Sequence, residues 1–395
     1  MNLQKNLGHI KNHKHIMYTR LKRPTRPKRK RLDMEKSNGN NKQPWKFKET
    51  TCVQAFLMAF FRFCGTRLFI GKRLLQFLKP RVNMEFTRHK LDNHYCDNHY
   101  WVYSADVHSS VPFLVTGSWN NTAVMYDIST FPPTVKHRLK HHSGPVSSVA
   151  FHLSLPLLAT GSTDTTTILY DTSNSPPTVK HHFKHHTREV RFVTFHPSLP
   201  LLATCSEDNT SILYDLSTSP PTMKYHFKHH YYSVYSVGFH PTLPLLATCS
   251  SDTSVILYDI STSPPTIKCR LHHHLNVVTF VVFHPSLPLL ATGSYDKSTI
   301  LYDISTSPPT VKHHFKHHTN SVRSAAFHQT RPLFATGSSD ASVILYDFAT
   351  TPPIVKHRLQ HHTYTVSCVA FHPSLPLLVT TSGDTSTMLY NIDRL

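Results

Sequence analysis

The sequence is short of glycine, with 11 among 395 residues against 28 prolines. That excludes a collagen-like chain and a flexible Gly/Ser polymer. Cysteine is also scarce. Seven scattered residues without a Cys-x-x-Cys pair argue against a disulfide scaffold or a thiolate zinc site and fit a reducing compartment. The nucleus or cytoplasm is therefore expected rather than secretion. No run of eighteen apolar residues occurs, so an ordinary transmembrane helix is not expected. A Gly-rich phosphate loop, a serine nucleophile elbow and a His-Glu-x-x-His pair are all missing. An enzyme is therefore not expected, nor is a cofactor or a metal site.

What the chain does contain is unevenly placed. The hydrophobic fraction of 39% and the aromatic fraction of 11% are enough for a core. At ~150 residues per domain the length allows two or three domains, or one large all-β unit. Residues 1–100 hold 23 Lys and Arg against 6 Asp and Glu, a net of +17, whereas residues 101–395 hold 19 against 16, a net of +3. Histidine runs the other way, with 6 of its 33 residues in the first hundred.

A repeat of constant length organises the second region. Tyr-Asp recurs at Tyr126, Tyr170, Tyr214, Tyr258, Tyr302 and Tyr346, and Tyr390-Asn391 closes the series, always at a step of 44 residues. The segment SPPTVKHHFKHHT stands unchanged at 175–187 and at 307–319. Within one period, Val190, Val193 and Phe195 mark a first strand, Leu201 to Cys205 a second, Ser211 to Tyr214 a third and Thr222 to Lys228 a fourth, with a tight turn at Glu207-Asp208-Asn209. Runs such as LPLLAT and ILY are apolar at consecutive positions, as a sheet covered on both faces requires. Small four-stranded sheets stacked radially meet that condition.

The period, the four-strand unit and the phrases FHPSLPLLATGSxD and ILYD resemble WD40 repeats across roughly residues 98–395. Tyr stands in every copy where the family usually has Trp, and His-His replaces the usual Gly-His in repeats two to seven. The resemblance implies an all-β, seven-bladed β-propeller, expected over residues 83–395. It also implies a structural tetrad of His, Ser/Thr, Asp and Trp. Repeat two supplies His142, Thr160, Asp164 and Tyr170, and repeat three His186, Thr204, Asp208 and Tyr214. Repeat four matches with His230, Thr248, Asp252 and Tyr258, and repeat five with His274, Thr292, Asp296 and Tyr302. Repeat six has His318, Thr336, Asp340 and Tyr346, and repeat seven His362, Thr380, Asp384 and Tyr390. A tyrosine hydroxyl sits farther from its ring than an indole N–H and can also accept, so a rearranged tetrad is expected. Repeat one departs most, with Asn98 and Asn120 in place of His and Asp, and its blade is expected to be the least stable. The chain ends five residues after Tyr390. The outer strand of the last blade is therefore expected from residues 84–97, on the family's closure scheme.

The copies diverge in two loops that share one end of the ring. One loop carries Arg188, Glu189, Tyr231, Tyr232 and Tyr364, and the other carries Trp119, Glu207 and Tyr295. In the family this end is the usual partner-binding face, and its Trp, Tyr, Arg and Glu have the composition of interaction hot spots. Drift of unconstrained loops is the competing reading. The fourth strands, such as VKHHFKHH, are expected to form a solvated belt of Lys and His, with a pH-sensitive belt and metal capture by paired histidines as the alternatives.

The first 82 residues read differently. Residues 20–31, RLKRPTRPKRKR, include the run Lys28, Arg29, Lys30 and Arg31, which resembles a nuclear-import signal or a phosphate-binding patch. Residues 1–50 are expected to be a basic disordered tail. Residues 51–82 are expected to form an amphipathic, helical segment that docks on the ring or lies on an acidic membrane. The expected function is a non-enzymatic scaffold presenting a loop face to proteins or peptides, as a monomeric ring. The alternative is a nucleic-acid- or membrane-associated protein anchored by its basic tail.

Overall fold

The computed structural model describes residues 88–91 and 100–395. The chain divides into two units, Met1–Arg73 and Leu74–Leu395, and every described residue lies in the second. The basic run, the amphipathic segment and Asn98 fall outside the described residues.

The described residues form seven four-stranded antiparallel sheets. In the second, Val146–Phe151, Leu157–Ser162, Thr167–Asp171 and Thr178–Phe183 follow one another from the inner to the outer strand. The first strands of successive blades touch each other around a closed cycle, the seventh against the first. They therefore line the central axis. The seventh blade takes Val366–Phe371, Leu377–Ser382 and Thr387–Asn391 from the end of the repeats and its outer strand, Arg88–Leu91, from before them. Arg88 stands opposite Tyr390 and Leu91 opposite Thr387. The expected interlock is therefore present, inside the expected segment.

The burial pattern follows from this stacking. Second strands such as LLATCS at 201–206 are buried at every position, because each face meets a neighbouring blade. The core is a set of layers between blades. One unites Leu157, Leu169 and Phe183 with Leu202, Ile212 and Tyr214 of the next sheet. The layer that closes the ring places Leu91 and Leu389 against Leu114 and Tyr126.

The outer strands contain an irregularity that the sequence did not indicate. The register shifts between Leu169 and Tyr170, so Tyr170 faces Val179 and Leu169 faces His181, with Lys180 as the extra residue. Phe183 is buried and Val179 and His181 are half-buried, while Lys180 and His182 are exposed. His185 lies beyond the strand and is exposed.

Candidate functional site at the channel mouth

In each of blades two to seven the second histidine of the His-His pair links the incoming loop to the blade it enters. The carboxylate of Asp164 can only accept, so His142 Nδ1 donates to it at 2.9 Å, and Thr160 Oγ1 donates to Nε2 at 2.7 Å. The same two bonds hold His186, His230, His274, His318 and His362 at 2.8–2.9 Å from Asp and 2.8 Å from Thr. Asp164 also accepts from the Ser143 and Thr166 amides and from the Thr166 hydroxyl. Burial alone would raise its pKa, but the bonds from His142 and Thr166 outweigh this and hold it well below the usual carboxylate range. Asn120 in blade one keeps part of this turn, accepting from the Thr122 amide and hydroxyl.

The tyrosine finds a partner that the sequence did not indicate. The first histidine of the pair meets its hydroxyl in blades two, three and six: His141 with Tyr170 at 3.2 Å, His185 with Tyr214 at 3.3 Å and His317 with Tyr346 at 3.3 Å. Among the described residues no partner meets the buried hydroxyls of Tyr258, Tyr302 and Tyr390 at ordinary hydrogen-bond geometry, although Thr248, Thr292 and Thr380 lie beside them. Burial pushes the Tyr170 and Tyr258 phenols up to about 12, against a smaller opposing influence from the neighbouring Thr160 and Thr248 hydroxyls.

These locked loops fix the variable residues at the channel mouth. In every blade a backbone bond joins the incoming loop to the turn between the second and third strands. Examples are Trp119 N to Trp101 O at 2.9 Å, Glu207 N to Glu189 O at 3.0 Å and Tyr295 N to Val277 O at 2.9 Å. The first strand also bulges at its second residue, with a register shift between Val190 and Phe192 that leaves Arg191 out of the ladder. Such a bulge re-aims a side chain. The equivalent residues are Tyr103, Ser147, Tyr235, Thr279, Arg323 and Ser367, and all seven line a cavity of about 700 Å³.

The cavity has unlike walls. On one side Trp101 packs on Tyr364 at 5.2 Å between ring centroids, and Tyr103 on Trp119 at 6.0 Å. Across the channel Arg191 is ion-paired to Glu207 and to Glu189, the latter at 3.4 Å. Arg323 is held differently. Its Nε donates to Ser339 Oγ at 2.8 Å and its Nη1 to Tyr295 Oη at 2.6 Å. Its guanidinium carbon lies 4.5 Å from the centre of the Tyr295 ring. Among the described residues Arg323 has no carboxylate within ion-pair distance.

The candidate partner residues thus divide. Trp119, Glu189 and Tyr364 line the mouth, and Glu207 and Tyr295 reach it through the two arginines. Arg188, Tyr231 and Tyr232 do not line it. Tyr231 is 81% exposed and Tyr232 63%. Trp101, Tyr103, Arg191, Tyr235 and Arg323 were not expected from the sequence. Aligning the copies at the second residue of the first strand would have shown Tyr, Ser, Arg, Tyr, Thr, Arg and Ser in turn.

No curated protein matches the chain. The family model for the WD domain, G-beta repeat, matches seven successive segments: 87–127, 133–171, 177–215, 221–259, 265–303, 309–347 and 354–391. Each segment ends at the third strand of one blade and the first begins beside the closing strand, so the chain belongs to the WD40-repeat family.

Proposed function

We propose that this propeller is a non-enzymatic interaction scaffold whose channel mouth captures a protein or peptide segment carrying an acidic group beside apolar side chains. Propellers of this family generally serve as platforms for protein interaction. The observation that carries the reading is the contrast between the two channel arginines. Arg191 has two carboxylates of its own. Arg323, half-buried and positioned by Tyr295 and Ser339, has none among the described residues. A partly desolvated guanidinium favours a carboxylate from a partner, because charge-assisted, bidentate pairing is strong there. Trp101, Trp119 and Tyr364, all at least 41% exposed, add rigid apolar area beside it.

The test is affinity capture from native extracts by the full chain, read by quantitative mass spectrometry. Trp119→Ala with Tyr364→Ala, and separately Arg323→Gln, should each reduce retained partners by about tenfold or more, the loss typical of hot-spot residues. Tyr232→Ala, away from the mouth, should leave them in place. Unchanged capture by both mouth variants, at unchanged melting temperature, would reject this site.

A further inference from the structure

The perimeter of the ring carries a charge pattern unrelated to the mouth. Six outer strands with the residue that follows each read TVKHRLK, TVKHHFK, TMKYHFK, TIKCRLH, TVKHHFK and IVKHRLQ, and the seventh outer strand reads RHKL. Each contains two or three Lys or Arg and none contains Asp or Glu. Acids close the third strands beside them, where Asp215 stands opposite Thr222 at the start of an outer strand, and the tetrad aspartates Asp208 and Asp296 act on His226 and His314. The third-strand acids serve local turns, as Asp215 accepts from the Ser217 amide and hydroxyl, and Asp171, Asp215, Asp259 and Asp303 also feel Lys180, Lys224, Lys268 and Lys312 of the outer strands. Among the described residues one of these cations reaches a carboxylate, Lys312 with Asp303 at 3.9 Å. Lys140, Lys184, Lys228 and Lys316 occupy one position on four blades, just past the outer strand, and all are exposed. The histidines two residues earlier register the crowding. Burial and then Lys184 lower the pKa of His182, and Lys228 and Lys316 act in the same way on His226 and His314.

We propose that this girdle binds single-stranded nucleic acid. The occupant has to be anionic, which excludes a second copy of the girdle. It also excludes the basic region before the ring, since residues 1–100 carry a net charge of +17. The geometry then selects among anions. The cations are spread over all seven blades, so a flat membrane touches only a small arc of them. A folded unit of about 300 residues has a radius of gyration of about 19 Å, and a DNA duplex with a persistence length of about 500 Å follows such a curve only at a high bending cost. A single strand is flexible enough to trace the perimeter and to place a phosphate near each blade. The exposed rings of His182, His226 and His314 lie between those cations as stacking surfaces.

The full chain should be titrated with a fluorescent single-stranded oligodeoxythymidylate of about 30 nucleotides over a range of salt. Two backgrounds are compared: the native chain, and one with Lys28, Arg29, Lys30 and Arg31 changed to Gln. In both, adding Lys184→Glu, Lys228→Glu and Lys316→Glu should weaken binding at least tenfold. It should also flatten the slope of log affinity against log salt by about 2, at about 0.7 for each phosphate no longer neutralised. The corresponding Gln triple, which adds no new charge, should show a smaller loss in the same direction and guards against misfolding of the Glu variant. Unchanged affinity and slope in both triples would overturn the proposal. So would equal, triple-sensitive binding of a duplex, or a loss confined to anionic phosphatidylserine vesicles.

Discussion

A phenol buried without a partner costs about 1–3 kcal/mol of desolvation, so exchanging Trp for Tyr throughout the repeats has different consequences in different blades. The ring fills its slot in all seven, since each of these tyrosines is no more than 2% exposed. The hydroxyl is what differs. Tyr170 has His141 at 3.2 Å, whereas Tyr258 has no such bond. Tyr170→Phe should therefore lower stability by about 1 kcal/mol, and Tyr258→Phe should be neutral or raise it by a similar amount. Urea unfolding of the two single variants is the check, and equal losses would refute the distinction. The substitution itself was legible in the sequence. The unequal partnering was not, because both blades present the same His-His pair and only the separation of side chains tells them apart.

At the scale of the element, the connection between the first and second strands is governed by a histidine that periodicity alone did not single out. His152 Nδ1 accepts the amides of Ser154 and Leu155 at 3.1 Å, and His240 Nδ1 those of Thr242 and Leu243 at 3.2 and 2.9 Å. Each ring also packs edge-on against the Phe of the next blade, His152 against Phe195 at 5.2 Å. An imidazolium has no acceptor nitrogen, so these bonds require the neutral ring. Burial lowers the pKa of His108, His152, His196, His240, His284 and His328 below the ordinary 6.5. The unfolded chain then takes up protons first. Stability is complete above pH 6.5 and falls as the pH drops from there toward the folded-state values, by at most about 1.4 kcal/mol per pH unit for each histidine. The tetrad aspartates add a second loss at lower pH. Their folded pKa values are depressed, so their contribution is complete above the unfolded value near 3.8 and disappears below it. Melting temperatures measured from pH 8 to pH 3 should decline in two stages, and a flat profile down to pH 4 would contradict the role given to these histidines.

For the whole molecule, closure depends on four residues that precede the inner strand of the first blade. Arg88–Leu91 complete the seventh sheet, and Leu91 enters the layer shared by the seventh and first blades. Burying one such side chain contributes about 1.5–3 kcal/mol, and the strand also covers an otherwise open edge. Deleting 84–97 should lower the melting temperature and produce aggregates visible by size-exclusion chromatography with light scattering. An unchanged, monodisperse profile would show that the interlock is dispensable. Counting repeats pointed to this closure, because the last copy lacks a fourth strand of its own. The same counting did not reveal how the blades hold each other at the axis. Ser148 Oγ accepts from Val193 N at 3.1 Å, Asp106 accepts from Phe151 N at 2.7 Å, and Ser367 donates to Val102 O across the closing junction.

The amino-acid sequence by itself determined the number of blades, the strand order within each and the end of the ring on which variation collects. A period of 44 residues and runs apolar on both faces leave radial stacking as the way to bury them. Only the tertiary structure decided which variable residues meet. Tyr103, Arg191, Tyr235 and Arg323 come from four different repeats and meet at one cavity, because a bulge in each inner strand turns one side chain toward a common axis. Spacing along the chain is identical for all of them, so convergence on an axis is a property of the closed ring and cannot be read from any single repeat.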